Sequence, residues 1–167
     1  MYILFEKLPP SSRIWVYQAD RSFSPEEEKL VYERLADFCS AWEAHGDALS
    51  TSFKIEFHRF IILCVDESSA GASGCSIDGS VRVLKELGLQ LNIDFFDRTK
   101  IAFLQNGGIE TYSLNQLRSL FESTQLKPST LTFNTLVGTK AEWEANWKIA
   151  AEKSWLVKYF PKDALSV

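Results

Sequence analysis

Apolar and polar positions along this chain follow two alternating periods, and the periods mark its elements. Arg13 to Ala19 (RIWVYQA) is rich in aromatic and β-branched residues and predicts a strand. Ser24, Pro25 and Glu27 then supply an N-cap, a proline at the first helical position and a capping box. Val31, Leu35, Phe38 and Trp42 follow at helical spacing, with Leu30 and Cys39 beside them. A helix is therefore expected as far as His45, with Gly46 as its stop. Phe53, Ile55 and Phe57 alternate with Lys54, Glu56 and His58, the pattern of a strand with one wet face. Phe60 to Val65 (FIILCV) is apolar at every position, which predicts a strand covered on both faces in the middle of a sheet. After the small-residue stretch Ala70 to Gly74, Ile77, Val81, Leu84 and Leu87 mark a second amphipathic helix ending near Gly88. Ile101 to Leu104 gives a further strand.

The resulting order is β-α-β-β-α-β, the split βαβ of ferredoxin-like folds. That topology puts its first and third strands in the centre, and here those two are the most apolar. The expected fold class is therefore α+β with a ferredoxin-like core, a doubly wound α/β sheet being the alternative. The last third reads as an extension of hairpin, helix, strand and helix. Asn106-Gly107-Gly108 is a turn that lets Ile109 to Tyr112 pair back, and Ser113 with Gln116 opens a helix through Glu122. Lys127-Pro128-Ser129 breaks the chain, Leu131 to Val137 reads as a strand, and Thr139 with Glu142 opens a helix. Trp143, Trp147, Ala151 and Trp155 would line one face of that helix. With no linker-like or repeated segment, residues 1–167 are expected to form a single domain.

Composition narrows the function classes. Apolar residues make up 46% and charged residues 24%, the balance of a globular chain, and the net charge of −4 comes from interspersed acids and bases. No Lys/Arg run suggests a nucleic-acid partner. The longest apolar run, Phe60 to Val65, is far too short to span a bilayer, and MYILFEKLPP lacks the basic and apolar regions of a signal peptide. Cys39, Cys64 and Cys75 are odd in number and form no CxxC, so neither a disulfide framework nor a zinc ribbon is indicated. The expectation is a cytoplasmic protein without a membrane partner. His45 and His58 are the only histidines, so no metal site is expected, and no cofactor is implied.

SRIWVYQADR, the stretch with Trp42, His45 and Gly46, RFIILCVDESSAGASGCSID, DFFDR and the tryptophan-bearing C-terminal segment together resemble a family of small uncharacterised bacterial proteins. Its members often carry the label "ABC transporter ATPase". The resemblance runs over nearly the whole chain, GASGCSID is its most distinctive segment, and no established activity comes with it. The label itself implies a Walker A loop, G-x-x-x-x-G-K-[ST], whose Lys and hydroxyl serve phosphate and Mg²⁺. Starting at Gly71, the sixth and seventh positions are Ser76 and Ile77; starting at Gly74, Gly79 fits but Ser80 and Val81 replace the Lys and hydroxyl. The chain therefore does not read as a P-loop ATPase.

Asp66 to Asp78 (DESSAGASGCSID) is the segment where chemistry is expected. A buried strand ends at Asp66 and Glu67, small residues follow, and a helix opens near Cys75 and Ser76. Small residues let a ligand approach the backbone, and free N–H groups at a helix start attract anions. Asp66, Glu67, Gly71, Ser73, Gly74, Cys75, Ser76 and Asp78, with Arg59, form the candidate set for a small molecule or anion. The bland reading is tight packing of loop on helix, a solvated strand end, and Asp78 as a first-turn acid favoured by the helix dipole. Cys75 is the candidate nucleophile, since Cys39 and Cys64 fall in apolar periodic segments. His45, at the expected helix end, is its candidate base, and Asp66 or Glu67 would orient it. A third reading is a homo-oligomer or interaction protein using Trp15, Trp143 and Trp155.

Overall fold

A computed structural model of the chain describes residues 1–163. The elements in order are β1 (Arg13–Gln18), α1 (Pro25–Ala41), β2 (Glu43–Ala44), β3 (Asp47–Ala48), β4 (Ser50–Glu56), β5 (Phe60–Asp66) and α2 (Gly74–Leu91). They continue with β6 (Lys100–Gln105), β7 (Gly108–Ser113), α3 (Leu117–Glu122), β8 (Leu131–Phe133), α4 (Lys140–Asn146) and β9 (Lys148–Ala150). The fold is α+β, and its sheets are antiparallel. The chain divides into two compact units that alternate along the sequence. One comprises Met1–Asp97 and Thr135–Glu144, the other Arg98–Asn134 and the chain from Ala145 onward.

In the first unit the sheet order is β1-β5-β4, with β5 in the middle. Phe60 to Val65 are all buried, as their unbroken apolar run requires. Ile61, Leu63 and Val65 share one core with Val31 and Leu35 of α1 and Leu84 and Leu87 of α2. The β4 alternation is only partly realised: Phe53 is buried, Ile55 is half-buried, and Phe57 leaves the strand in a turn with φ of 53°. The expected sixth element does not join this sheet, because β6 pairs with β7 and β8 elsewhere. The reason is local. Asn106 and Gly107, both at positive φ (51° and 77°), make the two-residue turn that commits β6 to its sequence neighbour. The outer edge of β1 is met instead by Gly138 to Lys140.

Ser24 caps α1 through the expected box: its hydroxyl accepts from Glu27 N, and Glu27 Oε1 accepts from Ser24 N at 2.8 Å. Arg21 clamps the same carboxylate with both nitrogens (2.8 and 2.7 Å), and its Nη2 also reaches Leu91 O at 2.6 Å. The helix ends at Ala41, short of His45, because Trp42 turns extended (φ −70°, ψ 122°) and buries its ring. His45 and Gly46 then form the positive-φ turn between β2 and β3. By contrast α2 runs past Gly88 to Leu91, and left-handed Asn92 (φ 53°) caps it. Gly88 is required there for closeness: a Cβ would meet Ile93 O at 2.5 Å. No helix among the described residues is long and apolar enough to cross a membrane.

The second unit is the sheet β7-β6-β8-β9, with Phe103, Leu117, Phe121, Leu126, Ala151, Leu156 and Phe160 as its core. Ser113 and Gln116 form their capping box, with Gln116 Oε1 accepting from Ser113 N at 2.9 Å. The long C-terminal helix is not formed. α4 stops at Asn146, β9 follows, and two short 3₁₀ turns, Ala151–Lys153 and Trp155–Tyr159, end the described chain. The tryptophan stripe is broken accordingly: Trp147 is buried, Trp143 is half-buried, and Trp155 is 50% exposed on a 3₁₀ turn. Pairing of β9 with β8 replaces helical continuation, with Thr132 opposite Ile149.

Two outcomes follow from these contacts. The Arg21 guanidinium, and then the Ser24 amide, hold the Glu27 carboxyl at about 2, below its ordinary 4.5. Because the folded value is the lower one, the contribution is complete above about pH 5 and disappears as pH falls toward about 2. Urea titrations across that window are expected to show a decline that Glu27→Gln flattens. Gly88→Ala is expected to destabilise the protein by about 1–3 kcal/mol in the same assay, because the backbone of Ile93 must give way.

Candidate functional site

The loop between β5 and α2 is built from its own polar groups. Asp66 Oδ1 accepts from Ser68 N at 2.9 Å, an Asx-type turn that leads the chain off the strand. Glu67 Oε1 accepts from Ala72 N at 3.1 Å and from Arg13 Nη1 at 3.4 Å. Ala70 and Ala72 rest on the core of the first unit, whereas Gly71 and Gly74 look outward. Ser73 caps α2: its Oγ accepts from Ser76 N at 3.2 Å, and Ser76 Oγ donates to Ser73 O at 2.7 Å. The buried Trp42 ring anchors the turn from below, Nε1 donating to Ser76 O at 2.8 Å.

This cap leaves two donors over. Ser76 N is satisfied by the Ser73 hydroxyl and Ile77 N by Ser73 O, but among the described residues no acceptor meets the amides of Gly74 and Cys75. Unpaired N–H groups at this position carry the positive end of the helix dipole. Nor does packing explain the glycines beside them. A Cβ on Gly71 or Gly74 would meet nothing within 4 Å, and neither residue has a left-handed φ. Tight packing is therefore not what requires glycine at positions 71 and 74. Glu67 is engaged by Arg13 and Ala72, and the first turn of α2 holds no acid. Asp78, expected in that first turn, is exposed in the second, because the helix opens at Gly74.

Cys75 is exposed, while Cys39 and Cys64 are buried. Burial pushes both buried thiols up to about 12. His45 lies in the β2–β3 turn, also exposed, and among the described residues no hydrogen bond or ion pair joins it to Cys75, Asp66 or Glu67. Arg59 belongs elsewhere. It precedes β5, whereas the loop follows it, and seven residues at about 3.3 Å each put roughly 20 Å between them. Its Nη2 donates to Asp20 O at 3.2 Å, and burial lowers its pKa.

The cation that does stand at the loop is Arg13, which sequence reasoning passed over. Arg13 pairs in register with Val65, so the antiparallel sheet delivers it to the end of β5 where the loop begins. Its guanidinium lies 4.7 Å from the Trp15 ring centre and remains substantially exposed. Only the strand register, not the residues near Asp66, could have pointed to it. Among the described residues no group of three or more His, Cys, Asp or Glu side chains is placed to hold a metal ion.

In the folded protein a maleimide is expected to label Cys75 alone, with Cys39 and Cys64 reacting only once denaturant is added. Mass mapping of the labelled peptides reads this directly, and labelling of Cys64 at the rate of Cys75 would contradict it. Comparison with protein-family models, with curated proteins and with solved structures yields no match to this chain.

Proposed function

We propose that residues 66–78 bind a small anion, or the anionic group of a small molecule, at the open amides of Gly74 and Cys75. The observation that carries this reading is the pair of unpaired first-turn N–H groups beside glycines that fold packing does not require. Anions favour such a position, since the donors converge on the dipole's positive end. Arg13 adds a guanidinium beside the loop, and by engaging Glu67 it offsets the carboxylate that would otherwise repel the ligand. The carboxylates of Asp66 and Asp78 border the turn and favour a ligand that also carries an amine or a bound cation.

A second reading is favoured by the exposure of Cys75 on the same helical turn: a nucleophilic thiol whose substrate places its oxyanion on those amides. The two readings share a backbone and differ in the sulfur.

Gly74→Pro separates them from a structural role. Proline is well tolerated at the first helical position, and Ser73 (φ −86°, ψ 166°) already has the extended backbone that precedes it. The change removes one amide donor and should leave stability unchanged or slightly higher. Titration of inorganic phosphate into the unaltered protein is expected to shift the Gly74 and Cys75 amide resonances. Gly74→Pro should weaken binding about tenfold, the loss of one hydrogen bond to an anion, while Cys75→Ser should leave it intact. If phosphate moves neither amide, the anion reading fails.

A further inference from the structure

The last turns of α2 border a cavity of about 400 Å³ to which no residue of the 66–78 loop contributes. Its size falls within the range of small-molecule sites, about 300–1,000 Å³. Leu84, Lys85 and Leu89 line it from the helix, Lys85 and Leu89 standing one helical turn apart. The chain then turns at left-handed Asn92, and Asp94, Phe96 and, from just beyond β1, Asp20 supply more of the wall. All of these residues belong to the first unit.

The wall is mostly apolar. Leu84 is part of the buried core, but Leu89 is 88% exposed and Phe96 39%, so apolar surface continues from the core to the rim. Single apolar residues scattered over a surface mean little; these converge on one cavity.

Three charges share that cavity. Asp20 Oδ1 accepts from Asp94 N at 3.0 Å, and Asp94 Oδ1 accepts from Phe96 N at 2.7 Å. Asp20 is also held through its backbone, its N donating to Asp94 O (2.9 Å) and its O accepting from Arg59 Nη2 (3.2 Å). Each carboxylate is thus fixed by one oxygen. Among the described residues the second oxygen of each meets no hydrogen-bond donor, and neither acid has an ion-pair partner. Lys85 makes no ion pair there either; its Nζ stands 5.9 Å from the centre of the Phe96 ring. Holding the loop together requires only the oxygens already used, and Lys85 takes no part in it. A plain anion in this cavity meets two carboxylates, and a plain cation meets the ammonium. A ligand that carries an ammonium and a carboxylate a few bonds apart answers all three charges.

We propose that this cavity binds a free α-amino acid with an apolar side chain, its ammonium on Asp20 and Asp94, its carboxylate on Lys85 and its side chain against Leu84, Leu89 and Phe96. The proposal is independent of the anion reading of residues 66–78.

Titration of L-phenylalanine into the isotope-labelled intact chain tests it. The amides of Leu84, Leu89, Asp94 and Phe96 are expected to shift together and saturate with a Kd of about 1 mM or tighter, while those of Gly74 and Cys75 stay in place. Phenylpropionate, which lacks the ammonium, and phenethylamine, which lacks the carboxylate, should each bind about tenfold more weakly, the loss of one charge-assisted contact. Asp94→Asn retains an oxygen for Phe96 N, so the loop keeps its bond; it should weaken phenylalanine about tenfold and leave phenylpropionate no weaker. Lys85→Gln should weaken phenylalanine and leave phenethylamine no weaker. If the three compounds bind alike, the assignment of the two charges is overturned. If phenylalanine at about 10 mM moves none of the four amides, or moves only Gly74 and Cys75, the site itself is overturned. The unaltered chain decides both points even if a variant does not fold.

Discussion

Phe60 to Val65 of β5 are shut off from water on both faces, and the first unit is organised around that demand. One face is closed by α1 and α2, whose apolar stripes meet Ile61, Leu63 and Val65. The other face needs a different cover. Lys54, opposite Ile62, spreads over Phe5 and Trp143 (5.0 and 5.9 Å to the ring centres). Phe5 and Leu8 of the N-terminal turn and Val137 and Lys140 are all buried. That turn is why a lysine is tolerated at near-complete burial, its ammonium donating to the carbonyls of Glu6 and Leu8 with Glu144 at 3.9 Å. A strand so firmly fixed also gives the loop at its end a rigid base.

The two long helices of this unit treat their N-termini differently. α1 places Glu26, Glu27 and Glu28 in its first turn and ties Glu27 to Arg21, so acids of its own stand at its positive end. α2 places Gly, Cys and Ser there and no acid. Both begin with a serine cap, so capping is not what distinguishes them. One terminus carries three acids in its first turn, and the other carries none.

Elements whose signals are local were legible in the residues. The α1 cap and the burial of Phe60 to Val65 each rest on a few adjacent positions and the structure has both, while α2, expected to open near Cys75 and Ser76, opens at Gly74. Misplacement began where the outcome depends on partners distant in sequence. Ile101 to Leu104 reads as a strand and is one, but its partners were settled by the turn at Asn106-Gly107 and not by its apolar content. Trp143 and Trp147 have helical spacing, yet the second ends beside Phe133 because β9 found β8. At the site, the glycines and Cys75 were visible from composition. Arg59 seemed adjacent because it flanks the same apolar run, and an extended strand turns adjacency in sequence into distance in space. Arg13 entered by the reverse route, across the sheet.

The interleaving of the two units has a consequence for synthesis. Residues 135–144, which complete the first unit, are encoded after most of the second, so β1, β4 and β5 must leave the ribosome and wait. At ordinary elongation rates the stretch from Arg98 to Glu144 takes on the order of seconds to emerge. Throughout that interval one face of FIILCV and one edge of RIWVYQ are available to water, to chaperones and to other nascent chains. Folding of the N-terminal half is therefore post-translational in character although its residues are made first, and the rate at which the middle of the message is read becomes a variable in how much native protein results.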